Sequence, residues 1–157
     1  MGTAVNRSIP PQPLINMVNP VVRRILRSPL HSVLDRALLV LHVVGRKTSH
    51  LYDIVVGYVD LDGRLLVVTQ HAWRVNLRGV SDVDVTFRGR RQSMRAHLDE
   101  DAASVARTLP AVFERIGWQA AGRRLGIKVR SRRTPTAAEL EEAVHEYHLS
   151  SLILAIR

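Results

Sequence analysis

The sequence lacks cysteine and long apolar runs, and it has few aromatic residues. None of its 157 residues is cysteine, which excludes a disulfide framework, a zinc–cysteine site, an iron–sulfur cluster and a thiol nucleophile. No apolar stretch approaches the roughly 20 residues of a membrane span, and the N-terminus has no signal-peptide apolar block. We therefore expect a soluble cytoplasmic protein, and its 46% hydrophobic residues suffice to bury a core.

Acidic residues are also scarce, because 14 of them stand against 23 basic ones and leave a net charge of +9. All the basic residues except Lys47 and Lys128 are arginines. Such an excess favours a polyanionic partner: nucleic acid, anionic lipid or a phosphorylated cofactor. Since the basic run over residues 123–133 is not interleaved with aromatic side chains, base stacking is unsupported and we do not expect nucleic acid.

The N-terminal part of the chain predicts an arm and then helices. Residues 1–18 are proline-rich with little periodicity, and we predict a flexible arm preceding a single domain over residues 19–157. Helical patterning over residues 19–36 is interrupted at Ser28-Pro29. The basic amphipathic stretch over residues 21–27 predicts either packing on the domain or contact with a membrane surface.

The middle of the chain predicts strands over residues 37–44, 52–59, 64–69, 82–87 and 92–98. Asp62-Gly63 is a strong hairpin signal, and the other links are short. These features predict an antiparallel meander that closes toward a small barrel.

The last third of the chain predicts three helices and a strand. The first helix covers residues 99–117, with Pro110 expected to break or kink it, and a second covers residues 118–129. A capping box at Thr136 and Glu139 opens the third, which runs to about residue 147. The apolar residues 152–156 predict a final strand that could join the barrel.

Two segments have the composition of a ligand site. In Gly45-Arg46-Lys47-Thr48, a glycine turn precedes two cations and a hydroxyl, which can hold phosphate or carboxylate but lack P-loop spacing. In the segment Trp73–Arg78, an indole that can stack on a ring precedes the Asn76 amide. The structural alternatives are a solvated basic turn and a tryptophan that plugs the barrel end. His145 and His148 lack a third ligand, so we expect no metal site.

Together with the Asp62-Gly63 hairpin, the G-R-K-T turn and the W-x-x-N-L-R segment resemble a known family. They are similar to the deazaflavin-dependent nitroreductase and quinone reductase family of actinobacteria, over about residues 19–100. The resemblance implies an α+β fold: a small antiparallel split β-barrel of about six strands, of the FMN-binding type, with N-terminal and C-terminal helices.

The resemblance also implies a function and a set of site residues. It implies an oxidoreductase that passes a hydride from reduced coenzyme F420, a 5-deazaflavin with an anionic tail, to a quinone, nitro compound or activated alkene. The residues that would hold the tail are Arg46, Lys47 and Thr48. Those that would wall the ring or otherwise contact the cofactor are Thr69, Gln70, His71, Trp73, Asn76 and Arg78. No catalytic residue is assigned, although Tyr52, Tyr58 or His71 could supply a proton.

The sequence departs from the family pattern at several places, among them the short loop between Thr69 and Trp73, where many members have a longer loop that approaches the cofactor. Ser49 replaces the glycine after the turn, and Asp53 stands where a small neutral residue is usual. An acid near an anionic tail repels it. Two alternatives therefore stay open: the same barrel binding FMN, and a non-catalytic barrel binding a lipid, tetrapyrrole or polyanion. The physiological acceptor and the oligomeric state, with a homodimer as one option, are also open.

Overall fold

The computed structural model describes residues 5–7, 38–125, 127–129 and 133–156. The predicted helices over residues 19–36, with the amphipathic stretch, lie outside the described residues. So does the predicted flexible arm apart from residues 5–7. Those three residues form strand β1 (Val5–Arg7), which pairs antiparallel with β8 (Ile127–Val129).

A seven-stranded antiparallel sheet forms the body of the described part, in the order β3-β2-β6-β7-β9-β5-β4. Its strands are β2 (Leu38–Val44), β3 (Leu51–Gly57), β4 (Val59–Leu61), β5 (Arg64–Thr69), β6 (Asp82–Phe87), β7 (Arg90–Asp99) and β9 (Ser150–Ile156). β5 and β6 have the predicted bounds. The strand predicted over residues 52–59 is interrupted, because β3 ends at Gly57 and β4 begins after Tyr58.

The interruption at Tyr58 is what closes the barrel. β3 pairs with β2 at one edge of the sheet, while β4 pairs with β5 at the other edge. Since only Tyr58 separates β3 from β4, the chain passes directly from one edge to the other and curls the sheet on itself. The predicted fold class, an antiparallel split barrel with helices, is confirmed.

The predicted meander is wrong in its strand order. β6 pairs with β2 and β7, and β9 lies between β7 and β5. β9 suits this central place because Leu152 and Leu154 are fully buried on one face while Ser151 is buried on the other. The predicted final strand over residues 152–156 is confirmed as part of β9 and joins the barrel, but hairpin signals report only sequence neighbours and could not show its place between β7 and β5.

Two apolar cores lie on opposite sides of the barrel wall. The barrel interior is filled by alternate strand residues, among them Leu39, Leu41, Val85, Met94 and Leu154. The second core lies outside the wall, where helices cover the outer face of β5. β3, at the edge of the sheet, is only partly buried.

Three α-helices follow β7: α1 (Ala102–Ile116), α2 (Trp118–Leu125) and α3 (Ala137–Glu146). Of the two effects predicted for Pro110, the break does not occur, because α1 runs through it. Burial of Leu109, Val112 and Phe113 on one side of α1 offsets the missing backbone hydrogen bond. The predicted second helix ends at Leu125, and residues 127–129 belong to β8. No helix of the described ranges is long and apolar enough to cross a bilayer.

The capping box at the N-terminus of α3 makes the stability of this helix depend on pH. Thr136 Oγ1 accepts from the Glu139 backbone N–H, and the Glu139 carboxylate accepts from the Thr136 backbone N–H at 2.7 Å. Arg133 also donates to this carboxylate at 2.8 Å, and mainly through this bond lowers the pKa of Glu139 from 4.5 to about 2. A depressed pKa means that the contribution to stability is complete above pH 4.5 and lost as the pH falls toward 2.

We expect the Glu139→Gln variant to lose less stability on acidification than the wild type. Urea unfolding at pH 6, 4 and 2.5 measures this, because glutamine keeps an acceptor for Thr136 but cannot ionise. Glu142→Gln, an exposed position on the same helix, is the matched control. Parallel pH profiles for wild type and Glu139→Gln would contradict the assignment.

Candidate functional site

The turn between β2 and β3 is a tight loop whose geometry is fixed by its backbone. Gly45 N–H donates to the His50 carbonyl at 2.8 Å, and Ser49 N–H donates to the Gly45 carbonyl at 2.8 Å. Ser49 has a φ of 57°, in the left-handed region that favours glycine. Glycine adopts this conformation without strain, which explains why the family that the sequence resembles has glycine at this position.

Gly45 is needed because no side chain fits at its position. A Cβ there would lie 2.6 Å from Thr48 Oγ1 and 2.8 Å from Tyr52 Cε2. These two side chains form a hydrogen bond with each other, in which Thr48 Oγ1 lies 3.2 Å from the Tyr52 hydroxyl oxygen. The glycine thus lets the cationic turn fold back against the start of β3.

Asn76 ties this turn to the segment that contains Trp73. That segment, predicted as a short connection, is a 3₁₀ helix over Ala72–Leu77. The Asn76 side-chain carbonyl accepts the Arg46 backbone N–H at 3.1 Å, and the Arg46 guanidinium reaches the Val75 carbonyl at 3.4 Å. The two motifs that stood out in the sequence are therefore in direct contact.

Glu100 anchors the other side of the 3₁₀ helix. Its carboxylate accepts from Arg78 at 2.7 and 3.0 Å and from Arg74 at 3.3 Å. The hydrogen bond from Arg78 is the main cause that lowers the pKa of Glu100, so the carboxylate stays charged. Arg74 also donates to the carbonyls of Gln70 and His71 at 2.9 and 3.0 Å. Sequence reasoning did not identify Glu100, because its partners are more than 20 positions away.

The turn, β3 and the 3₁₀ helix enclose one cleft of about 1290 Å³. Among the residues predicted from the sequence, those that line it are Arg46, Lys47, Thr48, Tyr52, His71, Trp73, Asn76 and Arg78. β3 runs along the cleft and pairs only with β2 among the described strands, so its other edge is unpaired within this part of the chain.

Three of the predicted residues do not line the cleft. Tyr58 is 3% exposed in the barrel interior, where its ring meets Phe87 edge-on at 5.4 Å between centroids. Thr69 is buried, and its hydroxyl accepts the His71 backbone N–H at 3.1 Å. The backbone carbonyl of Gln70 accepts a hydrogen bond from the Arg74 guanidinium. Thr69 and Gln70 therefore hydrogen-bond to residues at or next to the 3₁₀ helix without lining the cleft themselves.

A sequence profile of the F420H(2)-dependent quinone reductase family matches residues 22–129. The chain belongs to this family. As an F420H(2)-dependent quinone reductase family member it is an oxidoreductase, and the expected cofactor, F420, is confirmed at the level of the family. No curated protein matches the chain.

Solved structures resemble this family member at low sequence identity. One described as a domain-swapped dimer has 15% identity and a TM-score of 0.49, covering 88% of this chain and 97% of that one. An F420-H2 dependent reductase has 12% identity and a TM-score of 0.46, covering 76% and 94%. A pyridoxamine 5'-phosphate oxidase-related, FMN-binding protein from Nostoc punctiforme has 13% identity and a TM-score of 0.45, covering 94% and 81%.

The cleft has the donor set that an anionic deazaflavin requires. Arg46 and Lys47 are exposed, and neither forms an ion pair with an acid of the described ranges. Arginine and lysine side chains suit phosphate and carboxylate ligands. Trp73 offers an aromatic surface, and the volume exceeds the roughly 300–1,000 Å³ of typical small-molecule sites. The residues of this family member therefore fit F420.

Proposed function

We propose that the chain binds reduced F420 in this cleft and transfers its hydride to a quinone, with nitro compounds and activated alkenes as further acceptors. The observation that carries the proposal is the contact between Arg46 and Asn76, which makes the cationic turn and the tryptophan segment parts of one cleft. A ligand with an anionic tail and a flat ring needs both parts at once.

The anionic tail is assigned to the turn. Arg46 and Lys47 supply charge-assisted donors, and the Thr48 hydroxyl adds a neutral one. The Asn76 amide holds the Arg46 backbone in place, so little conformational entropy is lost when the anion binds. Glu100 pairs with Arg78, which leaves Arg46 and Lys47 as the stronger anion ligands of the lining.

The ring is assigned to the space between Trp73 and β3. The edge of β3 that no described strand pairs presents backbone N–H and C=O groups, which suit a heterocycle that carries both donors and acceptors. When bound, the reduced deazaflavin supplies a hydride to an acceptor against its ring. The chain orients the ring and keeps water from it. Tyr52 and His71 line the cleft and are the candidates for holding a proton there, whereas Tyr58 lies inside the barrel.

A fluorescence titration of the purified chain with F420 and with FMN tests the proposal. We expect saturable F420 binding in the micromolar range, and weaker FMN binding because FMN has fewer negative charges for the turn. Reduced F420 should then be oxidised on addition of a quinone such as menadione. Tight FMN binding without F420 binding would support an FMN reductase. Binding of neither cofactor would support a non-catalytic barrel.

A further inference from the structure

A buried histidine on β2 connects a lining residue of the cleft on β3 to a residue on β6. His42, in the middle of β2, is 5% exposed. Its Nδ1 lies 2.6 Å from Asp53 Oδ1 on β3, and its Nε2 lies 2.8 Å from Thr86 Oγ1 on β6. The three side chains form a polar chain across three adjacent strands.

The chemistry of the partners fixes which atoms donate. A carboxylate only accepts, so Nδ1 carries the proton and donates to Asp53. In the neutral ring Nε2 then accepts from the Thr86 hydroxyl. Both ring nitrogens are satisfied in a buried place, which holds the imidazole rigidly and with it one oxygen of Asp53.

Asp53 is the acidic residue that lines the cleft. Its side chain is 17% exposed, and β3 places it three residues beyond His50, about 10 Å along the strand from the end of the turn. Along this face of β3 the lining residues that follow the cationic turn are therefore Asp53, with its fixed carboxylate, and then the apolar Val55. A carboxylate has acceptor sites on both oxygens, so at this point of the cleft it favours a ligand that presents hydrogen-bond donors.

The register shows that the histidine pairs selectively with the acid on the cleft side. His42 stands opposite Asp53 on β3 and opposite Asp84 on β6. The Asp84 carboxylate pairs with Arg91 at 3.0 Å and does not line the cleft. Asp84 is consequently a matched control for Asp53: the same residue type, across the same histidine, outside the site.

We infer that Asp53 accepts hydrogen bonds from the polyol chain that joins the ring of the bound deazaflavin to its anionic tail, and that His42 is its positioning residue. The inference rests on the proposed function. Hydroxyl groups are the donors that such a cofactor presents between ring and phosphate, and a fixed carboxylate is a strong acceptor for them. The acid that departs from the family pattern thus recognises the cofactor instead of repelling it.

Two neutral probes isolate the polyol: 5-deazariboflavin, which carries the ribityl chain, and 5-deazalumiflavin, which has a methyl group instead. In fluorescence titrations we expect Asp53→Ala to weaken 5-deazariboflavin binding about tenfold or more, as for a lost charged hydrogen bond, and to leave 5-deazalumiflavin binding unchanged. Asp84→Asn should change neither. An unchanged affinity ratio in Asp53→Ala, or tighter F420 binding by this variant, would overturn the inference.

The role of His42 is tested through Asp53. His42→Gln should reduce the advantage of 5-deazariboflavin over 5-deazalumiflavin, and the double variant with Asp53→Ala should show no further loss. Thermal unfolding checks that the variants are folded, and Thr86→Val, which removes the Nε2 partner, replaces His42→Gln if that variant is not. Additive losses in the double variant would show that His42 does not act through Asp53.

A proton NMR signal gives a readout that a purely structural role would not move. The Nδ1 proton of His42, in its 2.6 Å bond, should resonate far downfield in the wild type and in Asp84→Asn but not in Asp53→Asn. It should shift on addition of 5-deazariboflavin but not of 5-deazalumiflavin. If the wild type fails to bind F420, the proposed function and this inference both fail. If it binds F420 and Asp53→Ala binds both neutral probes as the wild type does, only the inference fails.

Discussion

Replacing Arg46 and Lys47 together by alanine should weaken F420 binding about 100-fold or more. Hydrogen bonds to charged groups contribute about 1.5–3 kcal/mol each, and each 1.4 kcal/mol is a factor of ten in affinity. The turn itself should survive, because Asn76 holds the backbone N–H of Arg46 and not its side chain. The loss should therefore appear in affinity for the anionic cofactor and not in stability. Fluorescence titration and thermal unfolding of the same samples measure the two.

The basic turn at the opposite end of the barrel supplies the matched control. Arg88 and Arg90 flank the turn between β6 and β7, which lies beside the start of β2. Arg46 instead follows the end of β2. Arg88→Ala/Arg90→Ala removes the same charge from the protein. We expect it to change F420 affinity by less than about threefold, as for distant, screened charges. Equal losses in both double variants would mean that overall charge, and not the turn, attracts the cofactor.

Leu154→Ala should lower the free energy of unfolding by about 2–5 kcal/mol, the range for large-to-small changes in well-packed cores. Leu154 is fully buried inside the barrel, and its strand β9 places it opposite Leu65 of β5 and Ala96 of β7. The cavity would therefore open between β5 and β7, which β9 joins within the sheet. Urea unfolding measures the loss.

Ile156 is the internal comparison for this prediction. It lies two residues further along β9 and is 61% exposed. Ile156→Ala should change the free energy of unfolding by less than about 0.5 kcal/mol, as surface substitutions do. A comparable loss at both positions would show that β9 contributes through its backbone pairing and not through the core.

The sequence predicted those parts of the fold that depend on local signals. The Asp62-Gly63 turn, the strands over residues 64–69 and 82–87, and the capping box of Thr136 and Glu139 are all present. Each of these follows from a few neighbouring residues. Pro110 does not break its helix, because its local cost is outweighed by tertiary burial, which no local pattern reports.

The candidate site was predictable only in outline. The G-R-K-T turn and the tryptophan segment were recognisable as motifs, yet the bond from Arg46 to Asn76 joins residues 30 positions apart. The sequence makes Tyr58 a candidate proton donor in a predicted strand, but the residue lies between β3 and β4 and is buried in the barrel interior. In the sequence, Asp53 is only an acid that departs from the family pattern. The structure adds the register of β2 and β3, which places His42 opposite it.

The place of β9 between β7 and β5 also constrains how the chain reaches its native state during synthesis. The segments that form the cleft, from the cationic turn to the 3₁₀ helix, leave the ribosome long before Ser150. Until β9 emerges, β7 and β5 each lack a partner along one edge, and such open edges pair readily with other chains. A nascent chain that stops before residue 150 holds the sequence of the whole site without the strand that completes its barrel. The native barrel therefore cannot form before β9 has been made.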